Sequence, residues 1–510
     1  MLARTHAFTI DGLQTRHVTV EVDVRAGLPS FAIVGLADVA VREARERIGA
    51  AIRNSGYEFP ARRITANLAP GDVPKAGVGL DLAIACALLA ASDQLPREHL
   101  DSVALLGELG LDGDVRPSHG TLAVAQATRR AGLRTLALAG AGAQEARLVD
   151  SLDVAVVEHL ASAVRVLSGG APDRPPAPSS TVCHSSAADE PQLDLADVRG
   201  QHHAVNAIVI AAAGGHNCLL SGPPGTGKTM LAQRLASILP PLDRDEAIEV
   251  TRIQSLAGTG TDRLARRRPF RAPHHSMTAA GLVGGAQRGW LGEVVLAHNG
   301  VLFLDELSEF SRPTLEALRQ PLEDGRVSIV RARHASVYPT RFMLVAATNP
   351  CPCGYAGDGD RCDCSESELA RHRRRLSGPL LDRIDLLVGL QRESSRGLGE
   401  RPLTSSARAR ERVMAARARQ AARLGREGVR ANAHMDVRML KVHVRLDERG
   451  EQMMLTATRR GLLSARGEHR VLRVARTIAD LRASERVRAC DIGAALALRT
   501  DVGLARGAAR

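Results

Sequence analysis

"HNCLLSGPPGTGKTMLAQRLA" (residues 216–236) reads as an apolar strand, a glycine-rich turn and a helix. It matches G-x-x-x-x-G-K-[ST] from Gly222 to Thr229. In that pattern Gly222, Pro223, Pro224, Gly225, Thr226 and Gly227 form a loop whose backbone N–H groups, with the helix N-terminus behind them, cradle the β- and γ-phosphates of ATP. Lys228 supplies a point charge and the Thr229 hydroxyl a ligand for Mg²⁺. The chain is otherwise sparing with lysine: Lys75, Lys228 and Lys441 are its only ones against a large excess of arginine. A lysine in this slot therefore marks a demand for a compact ammonium.

Working outward, "NGVLFLDEL" (299–307) is a buried-type strand ending in two acids. Asp305 would hold Mg²⁺ through water and Glu306 would polarise the attacking water. "FMLVAATNP" (342–350) is a second such strand, closing on Asn349, which is placed to orient that water. These residues together make a set for ATP hydrolysis. "SGPLLDRIDLLV" (377–388) carries Arg383 between two acids. In a ring of subunits it could reach the neighbour's γ-phosphate; the local alternative is a salt bridge to Asp382 or Asp385. In "LLSARGEHRVLRVARTIADL" (462–481), Arg466, or failing it Arg470, is a candidate to touch the γ-phosphate from a lid.

The 510-residue chain is long enough for two to four domains. A Pro/Ser/Ala-rich stretch without apolar periodicity, residues 169–192, reads as a linker, in which Cys183 and His184 look incidental. The expected division is a first domain at 1–168, the linker at 169–192, an ATPase core at 193–392 and a helical, arginine-rich domain at 393–510. The first domain alternates strand-like runs such as "HVTVEVDV" with helical runs such as "DLAIACALLAAS", an α/β pattern. The N-terminus has no apolar run after its charges, and no apolar stretch reaches the ~18 residues of a membrane span. The expectation is a cytoplasmic protein with no membrane partner. A single Trp and three Tyr argue against base stacking on an aromatic platform. The net charge of +12 is weak support for a polyanionic partner in a chain that uses arginine by habit.

"NPCPCGYAGDGDRCDCS" (349–365) places half of the eight cysteines in fourteen positions. Cys351, Cys353, Cys362 and Cys364 offer four thiolates to one ion, and zinc as a structural clip leads over free thiols and a redox switch. A disulfide pair is disfavoured in the cytosol. Asp358 and Asp360 lack the later Gly and Glu of a calcium loop. Two stretches could meet a substrate. One is the insert 266–290, with its basic residues and His274-His275, for which packing or phosphate contact is favoured over metal binding. The other is "GRVSIVRARHASVYPTR" (325–341), read as a hairpin with a basic tip at Arg331, Arg333 and His334 that would track a DNA backbone without reading bases; its bland counterpart is a solvated hairpin. The arginine-rich run 406–430 is most simply an exposed helix face.

Taken together, "RPFRAPHHSMTAAGLVGG", "LGEVVLAHNGVLFLDELSEF", "LRQPLEDGRVSIVRARHASVYPTRF", "NPCPCGYAGDG", "SGPLLDRIDL" and "LSARGEHRVLRVARTIADL" closely resemble the magnesium-chelatase-like AAA+ proteins of the ComM/YifB type. The resemblance runs nearly end to end. It implies an α/β fold: a P-loop AAA+ core with a parallel sheet and a C-terminal helical lid. It further implies a homo-hexameric bacterial ATPase; the best-understood members drive branch migration of DNA during natural transformation, alongside recombination proteins. The alternative within reach is a chelatase- or chaperone-type ATPase that remodels a protein partner. The N-terminal "VPKAGVGLDLAIACALLAAS" and "LLGELGLDGDVRPSHGTLAVAQATRRAG" resemble the Lon-type protease domain. The nucleophile's slot holds Val78 or Gly79, and no lysine lies between Lys75 and Lys228, so the Ser–Lys dyad of a protease is missing. Trp290-Leu291 stands where relatives usually place proline before Gly-Glu.

Overall fold

The computed structural model describes residues 1–36, 39–72, 75, 79–174, 193–260, 263–285, 291–331, 334–356, 361–375, 378–392, 402–461 and 463–500. The chain forms two compact units. The first comprises Met1–Ser186, Arg244–Ala265 and Ala332–Tyr338; the second comprises Ala187–Asp243, Arg266–Arg331 and Pro339–Arg510. From residue 175 onward the expected linker lies outside the described residues.

The first unit is built on strands β1 (Leu2–Asp11), β2 (Gln14–Arg25), β3 (Ser30–Val34), β4 (Arg63–Ala69), β5 (Val103–Leu106), β6 (Glu108–Leu109), β7 (Val115–Arg116), β8 (Thr135–Leu138) and β9 (Asp153–Val156). Seven of them form a mixed sheet in the order β3-β4-β2-β1-β5-β8-β9, and β6 pairs with β7. β1 and β2 make a hairpin through a two-residue turn, with Asp11 opposite Gln14, and Gly12 at φ 63° supplies the left-handed backbone that turn needs. Along β2, Val18, Val20, Val22 and Val24 are buried in strict alternation, so one face of the sheet is apolar. The helix Asp81–Ala91 covers it, and all eleven of its residues are buried, as its apolar run of Ala, Leu, Ile and Cys after Asp81 demands. Asp81 at its first turn is 1% exposed and accepts from Arg47 at 2.9 and 3.3 Å. Burial, opposed by Arg47, pushes its carboxyl up to about 6.

The second unit contains a five-stranded, wholly parallel sheet of β10 (Cys218–Ser221), β11 (Phe270–Arg271), β12 (Val301–Leu304), β15 (Met343–Thr348) and β16 (Leu386–Gly389). Their order is β11-β12-β15-β10-β16. Every residue of β10, β12 and β15 is buried, the continuous apolar signature of strands covered on both faces. The strands β13 (Arg326–Arg331) and β14 (His334–Pro339), which the division into units separates, pair as the expected hairpin. Arg333 lies outside the described residues, as do the side chains of Arg331 and His334.

The helices Ser406–Leu424, Ala465–Leu481 and Ala489–Thr500 share a core with this sheet: Val413, Ala416, Val471, Val474 and Ile492 join Ile208, Leu220 and Leu235. The arginine-rich helix is thus not simply an exposed face. It buries Ala409, Val413, Ala416, Gln420 and Leu424 at helical spacing. Two of its arginines are structural: Arg417 donates to Ala212 O at 3.0 Å, and Arg423 to both oxygens of the buried Asp480 at 2.7 and 2.9 Å. Among the described residues no helix is long and apolar enough to cross a membrane.

Candidate nucleotide site and cysteine cluster

β10 sits between β15 and β16, and its C-terminal end feeds the loop Gly222–Gly227 and then the helix Lys228–Ile238. Ligands of open parallel sheets gather at such C-terminal edges. Gly222 is demanded by crowding, since a Cβ there would stand 2.5 Å from Leu390 O. Gly227, at φ 84°, makes the left-handed entry to the helix. Thr226 Oγ1 ties the loop by donating to Pro223 O at 2.8 Å. Lys228 Nζ donates to Gly222 O at 2.6 Å, Pro223 O at 2.9 Å and Asn349 Oδ1 at 3.0 Å. Its partial burial lowers the ammonium's pKa, while Asp305 and Glu306 pull it back up.

β12 delivers Asp305 to the same place: Thr229 Oγ1 donates to Asp305 Oδ2 at 2.7 Å. A hydroxyl and a carboxylate oxygen side by side are hard donors of the kind Mg²⁺ takes. Asp305 Oδ1 accepts from the Glu306 amide at 2.9 Å. Glu306 has a left-handed backbone, φ 50°, uncommon for a residue with a side chain and found preferentially at functional sites. Its Oε2 lies 3.2 Å from His275 Nδ1. β15 brings Asn349, whose carbonyl pairs with the buried His372 Nε2 at 3.0 Å. Lys228, Thr229, Asp305, Glu306 and Asn349 therefore converge as their motifs imply. His275 and His372 were not singled out for these contacts. The adjacent "PHH" was the one available signal, and nothing in "RHRRR" marks His372.

The three arginine candidates lie elsewhere. Arg383 does not pair with Asp382 or Asp385; its guanidinium binds Glu323, and its side chain is 14% exposed. The acids are engaged differently. Asp385 takes His216 Nδ1 at 3.3 Å and faces Arg470 at 3.8 Å, which also faces Asp382 at 4.0 Å. Burial lowers the Arg470 guanidinium to about 10. Arg470 is thus a buried structural cation, while Arg466, in the first turn of the helix capped by Ser464, is exposed.

Directly after Asn349 the chain enters the cysteine loop. The sulfurs of Cys351, Cys353, Cys362 and Cys364 all lie within 4.8 Å of one another. Cys351 to Cys362 is 3.8 Å and Cys353 to Cys362 is 3.7 Å, against about 3.8 Å for the edge of a tetrahedron with zinc–sulfur arms of ~2.3 Å. The Ala356 amide donates to Cys351 Sγ at 3.2 Å, and the Tyr355 amide draws the Cys353 thiol down to about 6. The four donors thus fit a closed zinc site; Asp358 and Asp360 lie outside the described residues. The loop also presses on the nucleotide loop: a Cβ on Gly354 would stand 2.8 Å from Pro224 Cδ.

A parallel sheet carrying this loop, these acids and this asparagine defines a P-loop nucleotide-binding protein of AAA+ type. Comparison with known proteins narrows the class. Residues 194–398 match the family model "Magnesium chelatase, subunit ChlI", residues 20–141 match "Subunit ChlI of Mg-chelatase", and residues 403–499 match "Magnesium chelatase, subunit ChlI C-terminal". An uncharacterised protein of Mycobacterium tuberculosis is 42% identical over 501 residues, covering 98% of both chains. YifB of Escherichia coli, also uncharacterised, is 43% identical over 489 residues, 95% of this chain and 94% of YifB. The competence protein ComM of Haemophilus influenzae is 42% identical over 500 residues, 97% of this chain and 96% of ComM. The chain belongs to the magnesium-chelatase-like ComM/YifB family of AAA+ ATPases.

Proposed function

We propose that the protein is an ATP-hydrolysing ring motor that acts on DNA, remodelling branched or partly single-stranded recombination intermediates as in transformation. The observation that carries the ATPase part is the meeting of Lys228, Thr229, Asp305 and Asn349 within hydrogen-bond distance at one sheet edge. Gly222 to Gly227 and the helix N-terminus hold the triphosphate, and Lys228 moves from its present oxygen partners to phosphate oxygens. Thr229 and Asp305 would hold Mg²⁺, which neutralises charge on the β- and γ-phosphates when bound. Glu306 polarises the attacking water and Asn349 orients it.

In this reading the chain has a Lon-like α/β domain at 1–168, a linker at 169–192, the AAA+ core at 193–392 and a helical lid at 393–510. It works in the cytoplasm as a homo-hexamer. Arg383 exchanges Glu323 for the neighbouring subunit's γ-phosphate, and Arg466, exposed at its helix start, reaches the nucleotide from the lid. The four cysteines would hold a structural zinc ion that pins the loop against Pro224. Arg331, Arg333 and His334 at the hairpin tip would touch DNA phosphates.

DNA as substrate is supported by the similarity to a competence protein and by the basic hairpin sequence. The rival is a chelatase-type ATPase that remodels a protein. Turnover by wild type and by the Arg331→Ala/Arg333→Ala double variant, with and without a DNA four-way junction, separates them. DNA stimulation lost in the double variant supports the motor; turnover indifferent to DNA at low salt supports the rival.

A further inference from the structure

Within the first unit alone lies a cavity of about 570 Å³. It forms where the start of β2 meets the last turn of the helix Thr121–Arg130 and the helix Arg244–Leu256. Each of the three elements contributes one arginine to the wall: Arg16, Arg130 and Arg252. Among the described residues no acid lines it. The elements are tied together without any ligand. Thr15 Oγ1 donates to Ala123 O at 3.2 Å, and Arg252 Nη2 donates to Leu13 O. The Gly120 amide joins the two helices by donating to Ser255 O at 3.3 Å.

These ties leave the cations uncompensated. Among the described residues neither Arg16 nor Arg130 has an acidic partner, and Arg16 reaches only the amide oxygen of Gln14, at 3.4 Å. Arg252 Nε is buried and donates to nothing among them. Partial burial lowers the pKa of the Arg252 guanidinium, Arg130 lowers it further, and Glu249 offsets part of this. Two guanidinia thus stand close enough to repel. His17, also in the wall, adds no charge at neutral pH, because burial and the neighbouring His6, 3.0 Å away, lower its pKa. A concave surface lined by one sign of charge concentrates counter-ions of the other.

We propose that this cavity binds a phosphate group, carried by a nucleic-acid strand or by a free small anion. One arginine fork serves a carboxylate completely, whereas a phosphate offers three oxygens and up to two charges to several guanidinia. Arginine suits such a site better than lysine, because its planar donors match phosphate geometry. The walls are fixed beforehand, so little ordering opposes binding. The cavity recognises the phosphate and not a base. Its one aromatic ring, Phe8, is 4% exposed and packs on His17 with centroids 5.2 Å apart, which leaves no face for stacking.

The test measures binding of inorganic phosphate by calorimetry and of a labelled single-stranded oligothymidylate by fluorescence anisotropy. Both use the full chain with Mg²⁺ and ADP saturating, which keeps the nucleotide loop occupied. Arg16→Ala and Arg130→Ala should each weaken the bound probe roughly tenfold, the worth of one charge-assisted hydrogen bond. Arg129→Ala removes a neighbouring charge outside the cavity and should stay within about twofold. In phosphate-free buffer Arg130→Ala should melt no lower than wild type, since Arg252 loses a like-charged neighbour. Weakening of the oligothymidylate assigns the phosphate to a strand; weakening of inorganic phosphate alone assigns it to a free small anion. Wild type that binds neither probe would overturn the site, as would equal affinities in wild type and both cavity variants. So would an Arg129→Ala loss as large as theirs, or melting temperatures lowered in both. None of these outcomes bears on hydrolysis at Lys228, so the site and the ATPase reading fail separately.

Discussion

Lys228 is held by three oxygens, and only one of them, Asn349 Oδ1, belongs to a side chain. That contact joins the loop after β10 to the end of β15, so in the proposed mechanism Asn349 would serve both the lysine and the attacking water. Asn349→Ala should cut kcat roughly a hundredfold, the usual scale for losing a group that orients a reacting proton donor. Nucleotide affinity should change little, because the phosphate cradle is backbone. Steady-state kinetics beside ADP titration checks this; a loss confined to affinity would contradict it. At this scale the sequence was most readable. Lys228, Thr229, Asp305 and Glu306 follow short motifs, in which neighbouring residues dictate geometry. The partners of Arg383 and Asp385 were not readable, because they come from far along the chain: Glu323 is 60 residues from Arg383, and His216 is 169 from Asp385. Only the fold could show that Arg470 takes the acids flanking Arg383.

Among the elements, the cysteine loop carries the clearest consequence. Metal analysis of the purified protein should give about one zinc per chain, lost in Cys351→Ser, as four converging thiolates imply. A well-folded wild type with no metal would contradict the site. The helix Asp81–Ala91 offers a pH test. The Asp81 carboxyl is pushed up to about 6 in the folded state, so between its unfolded pKa and that value the folded protein binds the proton more tightly. Its contribution is therefore complete below pH ~4 and is lost as pH rises through about 6, by about 3 kcal/mol at most. The melting temperature of Asp81→Asn relative to wild type should accordingly rise by several degrees between pH 4.5 and 7. A difference that stays flat across that range would contradict it. The strands and helices named from pattern, such as "HVTVEVDV" and "DLAIACALLAAS", appear where their periodicity put them. β5 and β9, four residues each, adjoin no motif of the kind that marked the equally short β10 and β12. The arginines of Ser406–Leu424 misled for a physical reason: a guanidinium on a long stem can lie along a buried face and reach a carbonyl or carboxylate, as Arg417 and Arg423 do.

For the whole molecule, nearly full-length similarity to ComM and YifB and the converged site agree on an AAA+ ATPase. The family and the motifs say little about what the ATPase acts on, since substrate contacts tend to lie on loops outside a nucleotide site. The most direct measurement is ATP hydrolysis by the purified full chain, with and without a DNA four-way junction, beside Lys228→Ala. The account predicts hydrolysis stimulated by the junction and abolished in the variant. Hydrolysis that survives Lys228→Ala, or that ignores the junction at low salt, would contradict it.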